Sequence, residues 1–102
     1  MNMDLNELAI KVGNWAIIRE IDKKENAPKQ MIKVMEEVGE TAGALLKKNE
    51  HEIKDGIGDI LLTVIILARQ LGYTPEECLE QAWKEIENRT GKTVDGVFVK
   101  DE

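Results

Sequence analysis

The chain has 102 residues, a net charge of −6 and one cysteine, Cys78. That length fits a single domain with a modest core, and an apolar share of 42% is too high for a disordered chain. The acidic balance excludes a non-specific nucleic-acid binder, which needs a basic surface, and one cysteine beside the lone His51 excludes a disulfide framework and argues against a zinc site.

The first predicted helix covers residues 4–24, where Leu5, Leu8, Val12, Trp15 and Ile18 recur at helical spacing and Gly13 and Asn14 weaken the pattern. No apolar leader precedes it, so we expect no signal peptide and a cytoplasmic protein. A second helix is predicted over residues 28–48, opened by Pro28 and closed by Lys47 and Lys48, with Met31, Val34, Met35, Val38, Ala42 and Leu45 on one face. The third covers residues 50–71, with Gly72 as its stop. Its apolar run, residues 60–68, is broken only by Thr63 and is too short to span a bilayer, which takes ~20 residues. Because that run is apolar on every side, the helix must be buried on every side, so we expect a homodimer or homotetramer. The fourth helix opens at Thr74-Pro75-Glu76-Glu77, which has the form of a capping box, and runs to about Arg89. The tail, residues 90–102, carries the β-prone Val94 and Val97-Phe98-Val99 and is expected to be extended. No repeat, low-complexity tract or second domain interrupts residues 1–102.

Acids gather in two helical strings, Glu36-Glu37-Val38-Gly39-Glu40 and Asp55-Gly56-Ile57-Gly58-Asp59. Glu37 and Glu40 share one helix face, as do Asp55 and Asp59, about 40° apart around the axis. Like charges at these spacings repel, and carboxylates brought together at a core edge are costly unless a hard cation with oxygen ligands relieves them; Mg²⁺ held by a few carboxylates and substrate phosphates is the common solution. Gly39, Gly43, Gly56 and Gly58 lie inside these helices, where glycine usually marks close approach of a helix or ligand. The competing reading is an ordinary solvated acidic face.

Glu37-x-x-Glu40, then Gly58-Asp59 opening a long apolar helix, resembles the MazG-like branch of the all-α nucleoside triphosphate pyrophosphohydrolases. Trp15 and Arg19 ahead of Pro28, and the closing Trp83-Lys84-Glu85-Ile86-x-x-Arg89, extend the resemblance over residues 5–100. Asp-Gly-Ile-Gly-Asp and the ending Val94-Asp95-Gly96-Val97-Phe98-Val99-Lys100 are similar to short single-domain members of phage and Gram-positive origin. One departure stands out. The family's second acidic pair is usually Glu-x-x-Asp, but Gly56 lies three residues before Asp59, and the nearest acid is Asp55.

The resemblance implies an all-α bundle of four or five helices in an intertwined oligomer, with the site between helices and across chains. It implies cleavage of the α–β anhydride of a nucleoside triphosphate to a monophosphate and pyrophosphate. Glu37, Glu40 and Asp59 would be ligands of Mg²⁺, or of Mn²⁺ in its place, with Asp55 proposed as the fourth. Glu36 or Glu37 would act as general base on water. Lys33, Arg89 and Lys92 are candidates to meet phosphate, and Trp15, with Arg19 beside it, to stack on a base; the plainer readings are surface cations and a core tryptophan. Asn88 reads a base edge or ends a helix, and Cys78 reads as a small buried hydrophobe. Two rival functions remain open: a phosphoribosyl-ATP pyrophosphohydrolase, with the same fold and chemistry, and a non-catalytic helical dimer, which the missing acid at position 56 would favour.

Overall fold

In the computed structural model, which describes residues 2–102, Asp4 caps the first helix by accepting the Glu7 N–H at 2.8 Å. That helix, α1, is Leu5–Ile18 and stops well short of the predicted residue 24. Glu20 turns into the left-handed region (φ 58°), and the Ile21 N–H reaches the Ala16 carbonyl at 3.1 Å. This closes the last turn and satisfies carbonyls left open at a helix end. A 3₁₀ turn, Lys24–Asn26, leads into α2, Ala27–Lys47, with Pro28 in its first turn.

Helix α2 ends as α1 does, on a non-glycine residue in the left-handed region: Lys48 has φ 57°, and the Asn49 N–H donates to the Ala44 carbonyl at 3.2 Å. Asn49 then caps α3, Glu50–Gln70, by accepting the Glu52 N–H at 3.1 Å. Two residues therefore join two 21-residue helices into a tight hairpin. At the far end Gly72 supplies the predicted stop, with φ 82°. Helix α4, Pro75–Ile86, opens on the predicted capping box: the Thr74 N–H donates to the Glu77 carboxylate at 2.7 Å, and the Glu77 N–H to the Thr74 hydroxyl at 3.1 Å.

The extended tail is an antiparallel hairpin, β1 (Gly91–Val94) paired with β2 (Val97–Lys100), so that Val94 faces Val97 and Lys92 faces Val99. Its two-residue turn is Asp95-Gly96, both at positive φ (51° and 79°), the geometry that matches the twist of the flanking strands.

Packing centres on α3. Its main partner is α2, its second α1. Gly56 lies against Thr41 so closely that a Cβ would overlap the threonine side chain, which marks a close approach of α2 and α3. Gly39, Gly43 and Gly58, expected to mark close approach as well, have open space around them. The Gln30 amide donates across the interface to the Thr63 carbonyl at 3.1 Å, and the buried Gln70 ties α3 to the segment after α1 by donating to the Ile21 carbonyl at 2.7 Å.

The interior of the chain is thin. Its buried apolar residues are Ala9, Ala16, Ala27, Val34, Ala44, Ile66 and Ala68. Of the apolar face expected on α2, only Val34 is buried; Met31, Met35, Val38 and Leu45 are exposed. On α3, Ile57, Leu61, Leu62 and Val64 are exposed too. Helix α4 buries no residue. Cys78 is exposed, not the buried hydrophobe expected, because α4 packs too lightly on α3 to bury any of its residues. No single helix among the described residues is long and apolar enough to cross a membrane.

Candidate functional site

The acidic residues gather between α2 and α3. A cleft of about 450 Å³ opens there, walled from α2 by Glu37, Glu40, Thr41, Gly43, Ala44 and Lys47 and from α3 by Glu52, Asp55, Gly56 and Asp59. Helical periodicity explains the membership. Glu37, Glu40, Ala44 and Lys47 form one stripe at spacings of three and four, and Glu52, Asp55, Gly56 and Asp59 form its counterpart. Hydroxyls brace both stripes from beneath: Thr41 donates to the Glu37 carbonyl at 2.7 Å, and Thr63 to the Asp59 carbonyl at 2.9 Å.

All four acids expected to act together, Glu37, Glu40, Asp55 and Asp59, thus line one cleft. Their mutual repulsion registers at Glu37. Partial burial pushes its carboxyl above the ordinary range, and the charges of Glu40 and Asp59 push further, against a smaller opposing pull from Lys33. Among the described residues, no three His, Cys, Asp or Glu side chains are gathered into a ready-made metal cage. The donor set nevertheless fits a hard divalent cation: the cleft offers carboxylate oxygens and a threonine hydroxyl, with no imidazole or thiolate.

Two wall residues escaped the sequence reading. Lys47 brings a cation into the acidic cleft, and Glu52 adds a fifth carboxylate. The signal was periodic: Lys47 stands seven residues after Glu40, and Glu52 seven before Asp59, two helical turns along the same stripes. Glu52 also places a Glu-x-x-Asp pair, Glu52 and Asp55, on the cleft one turn earlier than expected. The reason lies at Gly56. That position is the contact with Thr41 and admits no side chain, so the acids of α3 sit on either side of it.

The other predicted residues are placed less centrally. Glu36 lies outside the cleft and pairs with Lys33 at 3.6 Å on the exposed surface. Lys33 is outside the cleft as well, acting on Glu37 through its charge. Asp55 and Asp59 also wall a second cleft with His51, Lys54, Gly58 and Leu62, and Leu62 in turn lines a small cleft of about 230 Å³ with Lys11, Val12 and Trp15. Trp15 is therefore not a core residue. It is 44% exposed, carries the Arg19 guanidinium 4.1 Å from its ring centroid, and is one leucine removed from the acids of α3. Arg19 also donates to the Trp15 carbonyl at 3.2 Å. Asn88, Arg89 and Lys92, beyond α4 and on β1, are exposed and do not line the acidic cleft of their own chain.

A family model described as the MazG-like family matches residues 30–95. Every charged residue of the acidic cleft falls inside that span, whereas Trp15 and Arg19 fall outside it. The chain is 39% identical over 67 residues to an uncharacterized 18.2 kDa protein from the rep–hol intergenic region of Haemophilus phage HP1. That alignment takes in 66% of this chain and 41% of the phage protein, so the chain spans less than half of the relative it matches. No solved structure matches the chain.

Proposed function

This chain belongs to the MazG-like family, and from that premise we propose that it is a Mg²⁺-dependent nucleoside triphosphate pyrophosphohydrolase, splitting the α–β anhydride to release a nucleoside monophosphate and pyrophosphate. The observation that carries the reading is one cleft lined by Glu37 and Glu40 from α2 and by Asp55 and Asp59 from α3. Repelling carboxylates so placed raise the free energy of the metal-free fold, and a cation with its phosphates relieves them.

Glu37, Glu40 and Asp59 would hold the cation, with Asp55 completing the set; Mn²⁺ would substitute. When bound, the cation supplies charge neutralisation of the phosphates and lowers the barrier to attack by water. The residues of the chain do the rest. Lys47 meets phosphate oxygens at the edge of the cleft and reduces the repulsion between substrate and acids. Glu37, already disposed to keep a proton, accepts one from the attacking water as its oxygen bonds to phosphorus and the anhydride P–O bond opposite it breaks. Glu36 stands one residue away as the alternative base, outside the cleft. Trp15, across Leu62 from the acids, offers a ring face to the nucleobase, and Arg19 stacked on it keeps that ring oriented.

A panel of nucleoside triphosphates incubated with Mg²⁺, with monophosphate and pyrophosphate measured together, tests the reading. Equal release of both products, lost with chelator and in Glu40→Ala, is expected. Release of orthophosphate alone, or turnover indifferent to chelator, sinks it.

A further inference from the structure

The acidic cleft has unlike ends. Helices α2 and α3 run in opposite directions from their short link, and the Gly56–Thr41 contact sets their register: Thr41 stands six residues before Lys47, the last of α2, and Gly56 six after Glu50, the first of α3. Helical rise then places each wall residue along the cleft. Lys47 is at the link, with Glu52 about 3 Å and Lys54 about 6 Å along α3 from its start. Asp59 and Glu37 lie about 13–15 Å from the link, and Leu62 about 18 Å.

Charge follows the same axis. Lys47 lines the acidic cleft and Lys54 the second one, and the two clefts share Asp55 and Asp59, so the lysines flank the acids of α3. Neither lysine is in an ion pair among the described residues. The far end is acidic: Glu37 feels the charges of both Glu40 and Asp59. Beyond Asp59, Leu62 leads into the cleft of Trp15. The order along the molecule is therefore aromatic ring, acids, cations.

A triphosphate lying along this axis has one direction that fits. Attack in line puts the water and the departing pyrophosphate on opposite sides of the α-phosphorus. The water oxygen bonds to phosphorus, its proton passes to Glu37, and the α–β P–O bond breaks with its electron pair left on pyrophosphate. Glu37 and the Trp15 ring both belong to the far end, so the β- and γ-phosphates run toward the link, where the free cations are.

We propose that the cleft is polarised, with the α-phosphate at the Glu37 and Asp59 end and the departing pyrophosphate toward the link, and that Lys54 is a binding residue for that pyrophosphate beside Lys47. The direction of attack rests on the hydrolytic reading; the placing of the two products is measured without turnover.

The test is calorimetric titration of the full 102-residue chain with inorganic pyrophosphate and, separately, with deoxynucleoside monophosphates, each in Mg²⁺. Lys54→Met should weaken pyrophosphate about ten-fold and leave monophosphate within about two-fold, while Lys54→Arg keeps most of the pyrophosphate affinity. Trp15→Ala should do the reverse, weakening monophosphate alone. Lys29→Met, the same loss of charge on the exposed start of α2, should change neither. Helical circular dichroism should be unchanged throughout. An unaltered chain that binds no pyrophosphate overturns the proposal, as does a Lys54→Met chain that weakens both products equally or neither. Pyrophosphate release is followed on the same samples: no release with this binding pattern intact refutes hydrolysis and supports the polarity.

Discussion

At Glu37 the protein carries a carboxyl whose protonation is tied to the neighbouring acids. Its affinity for protons is raised by partial burial and then by Glu40 and Asp59. The folded state therefore binds the proton more tightly than the unfolded state does. Stability falls as pH rises from the ordinary glutamate value of 4.5 through the raised one, and the loss persists above it. Glu37→Gln removes this titration. In metal-free buffer its melting temperature should exceed that of the unaltered chain by a margin that opens as pH climbs past the ordinary value. A margin constant with pH would show that neither burial nor the neighbouring acids penalise the charged form of Glu37. Gly56 makes the second case. A methyl group there meets Thr41, whose hydroxyl is already committed to the Glu37 carbonyl and cannot swing aside freely. Gly56→Ala should cost about 1–2 kcal/mol even after alanine's better helix propensity is credited. Thermal unfolding of Gly56→Ala combined with Thr41→Ala should show coupling, the double variant losing less than the sum of the two single losses.

At the level of elements, the helical hairpin of α2 and α3 sets the cleft, and Asn49 joins the pair. Its side chain caps α3 while its N–H closes α2. Asn49→Ala should cost about 1 kcal/mol and, in urea unfolding, leave the slope unchanged. Much of this level was legible. Pro28, Gly72 and the Thr74–Glu77 capping box mark boundaries because each supplies a dihedral or hydrogen bond that other residues rarely supply. The end of α1 was not legible. Glu20 takes left-handed backbone that glycine or asparagine would advertise, and a glutamate announces nothing. The four acids of the cleft could be read because their repulsion is local to each helix. Lys47 and Glu52 could have been found by extending the same stripes two turns. Trp15 and Cys78 were misplaced because burial depends on what packs over a residue, and hydrophobicity alone does not specify that.

For the whole molecule, the proposed function makes stabilisation by a divalent cation, offsetting the net charge of −6 and the acidic cleft, an expected outcome. At fixed protein concentration, Mg²⁺ at about a hundred times its Kd adds about 2.7 kcal/mol, so Tm should rise by roughly 10 °C or more. Glu40→Ala should raise the metal-free Tm by removing repulsion and abolish the Mg²⁺ response. Asp55→Asn should shift the response to higher Mg²⁺ with helicity intact. An Asp55→Asn titration that superimposes on that of the unaltered chain would leave three carboxylates as the working set. How far the exposed apolar surface is closed was only partly legible. The all-round apolar run of α3 signals a need for cover, but the residues that provide cover lie in whatever packs against it.

The two-residue link between α2 and α3 has a further consequence, for folding kinetics. Every charged wall of the cleft lies between residues 37 and 59, so the contacts that build it are short-range and close a small loop. Loop-closure entropy and contact order are both low for such a pair. The acidic centre is therefore expected to form early, ahead of the docking of α1 and α4. Changes at the termini can then alter what surrounds the cleft while the order in which it assembles stays the same.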